Sequence, residues 1–187
     1  LFEPGTAYSY SNESYVLLGM IIRQVTGQFY GDFLNESIFQ KLNMETTQVN
    51  ENMQVISNRA QSYEHYNGQL IHAPYVSNFH NRTADGSLLF SLHDIAKWDA
   101  TLHSGTFLKK DILSRMLKGE AFPDGSKGPH NYGFGWWTGD LRGHPFAAHR
   151  GSWQGFRSSI VRFQDDALTV AVLTNTGFAY PTEIVTA

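Results

Sequence analysis

The sequence predicts an α+β protein in which a mainly helical part precedes an antiparallel sheet. In the first part, apolar residues recur at the three- and four-residue spacing of helices, as at Leu17, Met20 and Ile21. In the last third, short runs rich in aromatic and branched residues alternate with Gly-, Pro- or Asp-containing turns. Because connections this short join neighbouring strands, the strands should run antiparallel.

Four helices are expected before residue 122. Capping residues at Ser11 to Ser14 open the first helix, and Thr26-Gly27 ends it. A capping-box pattern, Ser91-Leu-His-Asp94, opens the third helix, which ends at His103-Ser-Gly105. The predicted helices are residues 13–26, residues 29–40, the segment between Ser91 and Gly105, and residues 110–118.

The strands are expected in two places. Asn67-Gly68 is a hairpin turn signal between two short segments, residues 60–66 and 69–73. The main sheet follows the Gly- and Pro-rich stretch Pro123 to Pro129, and Gln164-Asp165-Asp166 joins its last two strands tightly. Its four predicted strands are Tyr132–Thr138, Phe146–His149, Gly155–Phe163 and Leu168–Thr174.

A length of 187 residues fits one domain. Within it we expect a mainly helical and loop region at 1–122, antiparallel strands at 130–175 and the start of a C-terminal helix at 180–187.

Composition excludes several function classes. The chain has no cysteine, which rules out disulfides, thiolate metal sites and a cysteine nucleophile. Its longest apolar stretch, Tyr15 to Ile22, is far shorter than the ~20 residues of a membrane span. A net charge of −3 without a long Lys/Arg cluster argues against nucleic acid, so a small molecule or peptide is the expected partner. With 17 % charged and 14 % aromatic residues, the chain should have more buried or interfacial surface than a free domain needs.

No metal ion or other cofactor is expected. The eight histidines include no pair at i,i+2 or i,i+4 and no His-Glu-x-x-His. Gly133-Phe-Gly135 lies in a strand pattern rather than at the strand-to-helix turn of a dinucleotide site. A metallohydrolase therefore stays only as an alternative that bound zinc would reveal.

Two segments contain residue types suited to catalysis. Tyr10 and Asn12 lie on the loop before an amphipathic helix, and His149 to Phe156 links two predicted strands. A tyrosine beside a cation can act as a general base, because the positive charge stabilises the phenolate. An asparagine can orient a substrate carbonyl, and a backbone N–H beside a glycine can donate to an oxyanion.

Seven motifs occur in order along nearly the whole chain. They are Pro4-Gly-Thr-x-Tyr-x-Tyr10-Ser-Asn12, Leu18-Gly19, Val25-Thr-Gly27, Ala84-Asp-Gly86-Ser87-Leu88, Asp94-Ile-Ala96, Tyr132-Gly-Phe-Gly135-Trp136 and His149-x-Gly151. Together they resemble the serine β-lactamase-related superfamily, in particular its group of class C β-lactamases, D-alanyl-D-alanine carboxypeptidases and esterases. The ordered set is much more specific than Tyr-x-Asn alone.

The resemblance implies a penicillin-recognising fold, an antiparallel sheet flanked by helices with a helical subdomain against it and the site between them. The implied catalytic residues are Tyr10, for proton transfer, and His149, which with Gly151 forms the family's Lys/His-x-Gly motif. Asn12 would orient the substrate, and a backbone N–H close to Ser152 would form half of an oxyanion hole. Arg150 stands where the family usually has Thr or Ser. It could bind a substrate carboxylate through its bidentate fork or point away in a surface pair, which puts β-lactam and D-Ala-D-Ala substrates in doubt.

The family's nucleophile motif, Ser-x-x-Lys, does not occur in these 187 residues. Only Thr106 is a hydroxyl residue followed by Lys three places later, and its position after Tyr10 contradicts the family order. We therefore expect a partial domain, incomplete at both ends, of a serine hydrolase acting on amide, ester or β-lactam carbonyls, and inactive as this isolated chain. A missing N-terminal segment or another chain should complete the sheet. The alternative is a non-catalytic β-lactamase-fold module for binding or scaffolding, and the compartment stays open.

Overall fold

The computed structural model describes residues 2–119, 121–126, 128 and 131–185, the side chain of Asn81 excepted. Three of the predicted segments include residues outside this description: the Gly- and Pro-rich stretch 123–129, the strand region 130–175 at its first residue, and the helix region 180–187 at its end. The helices are α1 (Asn12–Thr26), α2 (Tyr30–Leu34), α3 (Leu92–Ser104), α4 (Lys110–Met116) and α5 (Pro181–Val185). The strands are β1 (Gln48–Val49), β2 (Tyr63–Tyr66), β3 (Gln69–His72), β4 (Leu88–Leu89), β5 (Trp137–Leu141), β6 (His144–Trp153), β7 (Phe156–Phe163) and β8 (Leu168–Thr174).

The two long helices, α1 and α3, begin and end at the predicted signals. The hydroxyls of Ser11 and Ser91 accept hydrogen bonds from the backbone N–H three residues later, at 3.2 and 3.3 Å. Gly27 and Gly105 follow the last helical residue with φ of 75° and 63°, a left-handed conformation that glycine adopts without strain. Local sequence therefore determines both ends of both helices.

The other helices differ from prediction. The helix predicted at 29–40 is divided, because α2 continues into a π-helical turn over Asn35–Phe39. The helix predicted at 110–118 is α4, which ends two residues earlier at Met116. Neither difference changes the order of the elements along the chain.

The main sheet is a meander in the order β5-β6-β7-β8, and all neighbours are antiparallel. β8 has the predicted bounds, and β7 begins one residue later than predicted. The predicted hairpin also forms, with β2 and β3 joined through Asn67-Gly68 at φ of 49° and 76°. These features confirm the α+β prediction and the antiparallel meander.

The bounds predicted for β5, Tyr132–Thr138, are wrong. The strand begins only at Trp137, because the residues before it turn toward the end of α4. There the backbone N–H of Phe134 donates to the carbonyl of Met116 at 2.8 Å, and a Cβ on Gly133 would collide with the same oxygen. Gly133-Phe-Gly135 therefore lies in a turn rather than in a strand pattern.

The bounds predicted for β6, Phe146–His149, are also wrong. The strand extends to Trp153, which pairs with Phe156 across a two-residue turn, Gln154-Gly155, at φ of 47° and 74°. Residues 149–153 thus belong to a strand paired with β7, not to a link between two strands. The prediction failed because Arg150-Gly151-Ser152 is not typical strand sequence, and the pairing with β7 overrides that local preference.

The core lies between α3 and the sheet. Leu102, Trp136 and Ala147 are buried there, with exposed fractions of 1 %, 8 % and 0 %. Polar contacts at the same interface include the nearly buried Arg162 of β7, whose Nε donates to Asp99 of α3. The α3 helix is therefore held to the sheet by apolar packing and an ion pair.

The apolar face of α1 lies at the surface of the described structure. Five of its apolar residues are 49 % to 78 % exposed, Val16 and Ile22 are partly buried, and Gly19 is buried against Ala84. The exposed residues are Leu17, Leu18, Met20, Ile21 and Val25. Among the described helices, none has the length and apolar character needed to cross a membrane.

Candidate active site

The fold brings Tyr10 and His149 close together, although they are distant in sequence. Tyr10 lies just before α1 and His149 lies in the middle of β6, and their ring centroids are 6.4 Å apart. Tyr10 is half exposed, and its hydroxyl has no hydrogen-bond partner among the described residues. Asn12 is the first residue of α1 rather than a loop residue, and Ser11, not Asn12, caps the helix. The amide of Asn12 is exposed.

Two aromatic residues hold the imidazole of His149. The hydroxyl of Tyr132 lies 3.0 Å from Nε2 of His149, and Trp137 stacks on the ring with centroids 4.9 Å apart and planes 11° apart. Tyr132 also meets the edge of Tyr10, with centroids 6.1 Å apart. Tyr132 was not among the predicted site residues, although it is the first residue of the Tyr132-Gly-Phe-Gly135-Trp136 motif. The sequence signal that could have identified Tyr132 is the pair Gly133 and Gly135. These glycines let the chain turn against the end of α4, which brings the side chain of Tyr132 to β6.

Tyr8, Tyr10, Tyr15 and Tyr132 form a tyrosine cluster around a cavity of about 190 Å³. Tyr15 and Tyr132 share a hydrogen bond, and Trp137 hydrogen-bonds to Tyr8. Serines line the rest of the cavity: Ser9, Ser11 and Ser14. The cavity therefore offers aromatic walls and hydroxyl groups at the N-terminal end of α1.

The electrostatics favour neutral groups around His149. Burial lowers the pKa of His149, and the nearby positive charge of Arg150 acts in the same direction. Burial also raises the pKa of Tyr132, and the neighbouring tyrosines Tyr15, Tyr10 and Tyr8 add to the rise. At neutral pH the site therefore contains a neutral imidazole and a phenol that keeps its proton.

The edge of β6 opens beyond His149. β5 pairs with β6 only as far as Ala148, opposite Trp137, so no described strand lies along residues 149–153 on that side. Trp153 and Phe156 flank a two-residue turn and form a hydrogen-bonded pair, so the next pair, Ser152 and Arg157, is not hydrogen-bonded. The backbone N–H and C=O of Ser152 therefore point away from β7, toward the open edge.

Gly151 and Arg150 shape this edge in different ways. A Cβ on Gly151 would collide with Oγ of Ser158, its partner on β7, so a larger residue there would require the serine side chain to move. Arg150 is exposed, and its guanidinium lies 5.0 Å from the centroid of Trp137, on whose ring His149 also stacks. Arg150 makes no ion pair with a described carboxylate, so the surface pair considered from sequence is not formed within the described residues.

Comparisons with known proteins identify similar sequences and structures. A family model described as Beta-lactamase matches residues 1–185. A penicillin-binding protein of Bacillus subtilis (strain 168) is 27 % identical over 93 % of the chain and 41 % of its own length. A D-aminopeptidase of Gluconobacter oxydans (strain 621H) is 28 % identical over 93 % of the chain and 32 % of its own length.

Solved structures show the same fold. The octameric penicillin-binding protein homologue from Pyrococcus abyssi superposes with a TM-score of 0.86 at 27 % identity, over 100 % of this chain and 42 % of that one. The D-amino acid amidase from Ochrobactrum anthropi SV3, complexed with L-phenylalanine amide, gives a TM-score of 0.76 at 27 % identity. The match covers 93 % of this chain and 51 % of the amidase chain. The chain thus spans about a third to two fifths of the curated relatives it matches.

Proposed function

Because the chain belongs to the Beta-lactamase family, we propose that it forms the tyrosine and histidine side of the active site of a serine hydrolase. The hydrolase would act on amide, ester or β-lactam carbonyls through an acyl-enzyme. The observation that supports this most directly is the approach of Tyr10 to His149 beside the open edge of β6.

Each group has a distinct role in the proposed reaction. A serine hydroxyl attacks the carbonyl carbon, and Tyr10, together with the lysine of the nucleophile motif, takes its proton and passes it to the leaving group. The backbone N–H of Ser152 points to the open edge, where it can donate to the oxyanion that forms. Water then attacks the acyl-enzyme and releases the acid, with the proton moving back through the same groups.

The remaining predicted residues would bind substrate. Asn12 is exposed at the start of α1, next to the tyrosine cluster, where its amide can orient a carbonyl. Gly151 has no side chain that could block a substrate at the open edge of the strand. Arg150 is exposed, with its guanidinium near the ring of Trp137, and is the candidate partner for a substrate carboxylate.

The nucleophile is proposed to come from polypeptide beyond these 187 residues, which contain no Ser-x-x-Lys. The described residues would then form a single partial domain. Two features support this proposal: the exposed apolar face of α1, and β8, which pairs on one side only among the described strands. A segment that packed on α1 and paired with β8 would bury apolar side chains. Each large one would contribute about 1.5–3 kcal/mol of favourable transfer free energy.

The relatives suggest which carbonyl to test first. A D-aminopeptidase and a D-amino acid amidase are among the proteins of similar sequence and fold. We therefore propose amides of D-amino acids as the first substrates, with p-nitrophenyl esters and nitrocefin as the ester and β-lactam alternatives.

Labelling with a fluorophosphonate tests the proposal. The full-length protein should be labelled and should hydrolyse one of the three substrate types, whereas the isolated 187-residue chain should do neither. Tyr10→Phe should lower kcat/KM about 100-fold or more, because it removes the proton-transfer group. Tyr66→Phe, at an exposed position on the β2–β3 hairpin, is the matched control and should have no effect. A full-length protein that is never labelled would support the non-catalytic module, and turnover by the isolated chain would contradict the external nucleophile.

A further inference from the structure

We propose that Tyr132 is a positioning residue that fixes the ring orientation and the tautomer of His149. The hydroxyl of Tyr132 lies 3.0 Å from Nε2 of His149, within hydrogen-bond distance, and both groups are partly buried. The catalytic consequence rests on the function proposed above, whereas the hydrogen bond itself does not.

Tyr132 is held by contacts that do not involve β6. Its neighbour Phe134 hydrogen-bonds to the end of α4, and Gly133 N–H donates to the carbonyl of Trp136 at 2.8 Å. Tyr132 itself forms an isolated β-bridge with Trp137, the first residue of β5. The backbone around Tyr132 is thus fixed by the end of α4 and the start of β5, without pairing directly with the strand that carries His149.

Two contacts restrict the imidazole in two different ways. Trp137 stacks on its face and fixes the plane of the ring. Stacking alone does not distinguish the two ring orientations related by a 180° flip, because the flip leaves the plane unchanged. The hydrogen bond from Tyr132 does distinguish them, since only one orientation places a nitrogen opposite the phenol.

The direction of the hydrogen bond follows from the groups around it. Burial raises the pKa of Tyr132, so its O–H is present at neutral pH and can donate. The ring of His149 also hydrogen-bonds to the backbone of Arg150, and this bond raises the pKa of His149, as expected when the ring is the donor. Since Nε2 faces Tyr132, we expect the neutral ring to carry its proton on Nδ1.

Besides Tyr132, the groups facing His149 come from three parts of the chain. Tyr10 approaches from the segment before α1, Trp137 from β5, and Arg150 is the next residue of β6. No carboxylate forms an ion pair with His149 in the described part of the chain. Tyr132 is therefore the group whose removal should change the titration of His149 without changing the local charge.

Nitrogen-15 NMR of histidine-labelled full-length protein tests the inference. Comparison with His149→Gln assigns the imidazole signals of His149. In the wild type these signals should show the Nδ1–H tautomer. Tyr132→Phe keeps the ring and removes only the hydroxyl, so Nε2 loses its donor. The Nδ1–H population should then fall, and the titration midpoint of His149 should move to higher pH, since the lost bond stabilised the neutral ring.

Controls separate positioning from damage to the fold. The signals of the other histidines should be unchanged in Tyr132→Phe, and Tyr66→Phe should leave the signals and midpoint of His149 as in the wild type. An Nε2–H tautomer in the wild type overturns the inference. A midpoint in Tyr132→Phe that is unchanged or lower overturns it as well.

Kinetics then test the catalytic consequence. If the protein hydrolyses one of the proposed substrates, Tyr132→Phe should lower kcat about tenfold, the equivalent of one hydrogen bond, and move the acidic limb of the pH profile to higher pH. An unchanged acidic limb would show that His149 orientation does not matter for turnover. Confirmed NMR shifts without any hydrolysis would leave the positioning of His149 intact and remove the proposed function.

Discussion

The helices α1 and α3 have the same terminal signals but bury very different amounts of apolar surface. Each begins at a serine whose hydroxyl caps the first turn, and each ends at a left-handed glycine. Leu102 of α3 is 1 % exposed against the sheet, whereas Leu18 of α1 is 49 % exposed. The difference shows that helix ends are local properties of the chain, whereas burial of a helix face requires a partner surface.

The largest expected effect comes from truncating one apolar side chain in each helix of the 187-residue chain. Leu102→Ala should cost about 2–5 kcal/mol of unfolding free energy, because it leaves a cavity beside Trp136 and Ala147. Leu18→Ala should cost less than about 1 kcal/mol, because water already contacts this side chain. Urea unfolding of both variants measures the difference.

Leu102→Ala and Leu18→Ala should also be compared in the full-length protein. If a further segment packs on α1, Leu18→Ala should become costly there while the cost of Leu102→Ala stays similar. Equal and small costs of Leu18→Ala in both proteins would argue against the proposed covering segment.

The next effect concerns the caps, where the two helices should behave alike. Ser11→Ala and Ser91→Ala should each cost about 1 kcal/mol, because each removes the acceptor for one N–H of the first turn. Ser91 also accepts a hydrogen bond from Thr46, so its replacement should cost somewhat more. Thermal unfolding followed by circular dichroism measures both, and a negligible cost for Ser11→Ala would show that α1 does not depend on its cap.

The smallest expected effect is the pH dependence of stability that His149 contributes, where the N-terminal end of α1 meets the sheet. The pKa of His149 is lowered in the fold from its ordinary 6.5, so the unfolded chain binds this proton more readily. This contribution to stability is fully present above about pH 6.5 and is lost as pH falls below it. His149→Gln should therefore lose less stability than the wild type between pH 8 and pH 5 in urea titrations. An identical loss in both proteins would show that His149 titrates normally.

Much of the fold was predictable because its signals are local. The serine and glycine ends of α1 and α3, the Asn67-Gly68 hairpin and the bounds of β8 all appear where short sequence patterns placed them. The bounds of β5 and β6 were predicted wrongly, because they depend on neighbours distant in sequence. The end of α4 draws the chain before Trp137 out of the sheet, and β7 pairs with residues that lack strand character.

Of the candidate site, the proximity of two residues was predictable. The order of the motifs indicated that Tyr10 and His149 belong to one site, and the fold places their rings 6.4 Å apart. The hydrogen bond from Tyr132 was not predicted, because no local sequence pattern near Tyr132 indicates a contact with β6. That contact depends on how α4, β5 and β6 pack together.

By itself, the sequence determined the fold class, the ends of α1 and α3 and the Asn67-Gly68 turn, because each depends on local patterns of residues. The tertiary structure alone decided which helix face is buried, how far β6 extends past β5, and which phenol holds His149. Such contacts join residues that are tens of positions apart. Their geometry depends on how rigid elements pack, and local sequence preference does not specify it.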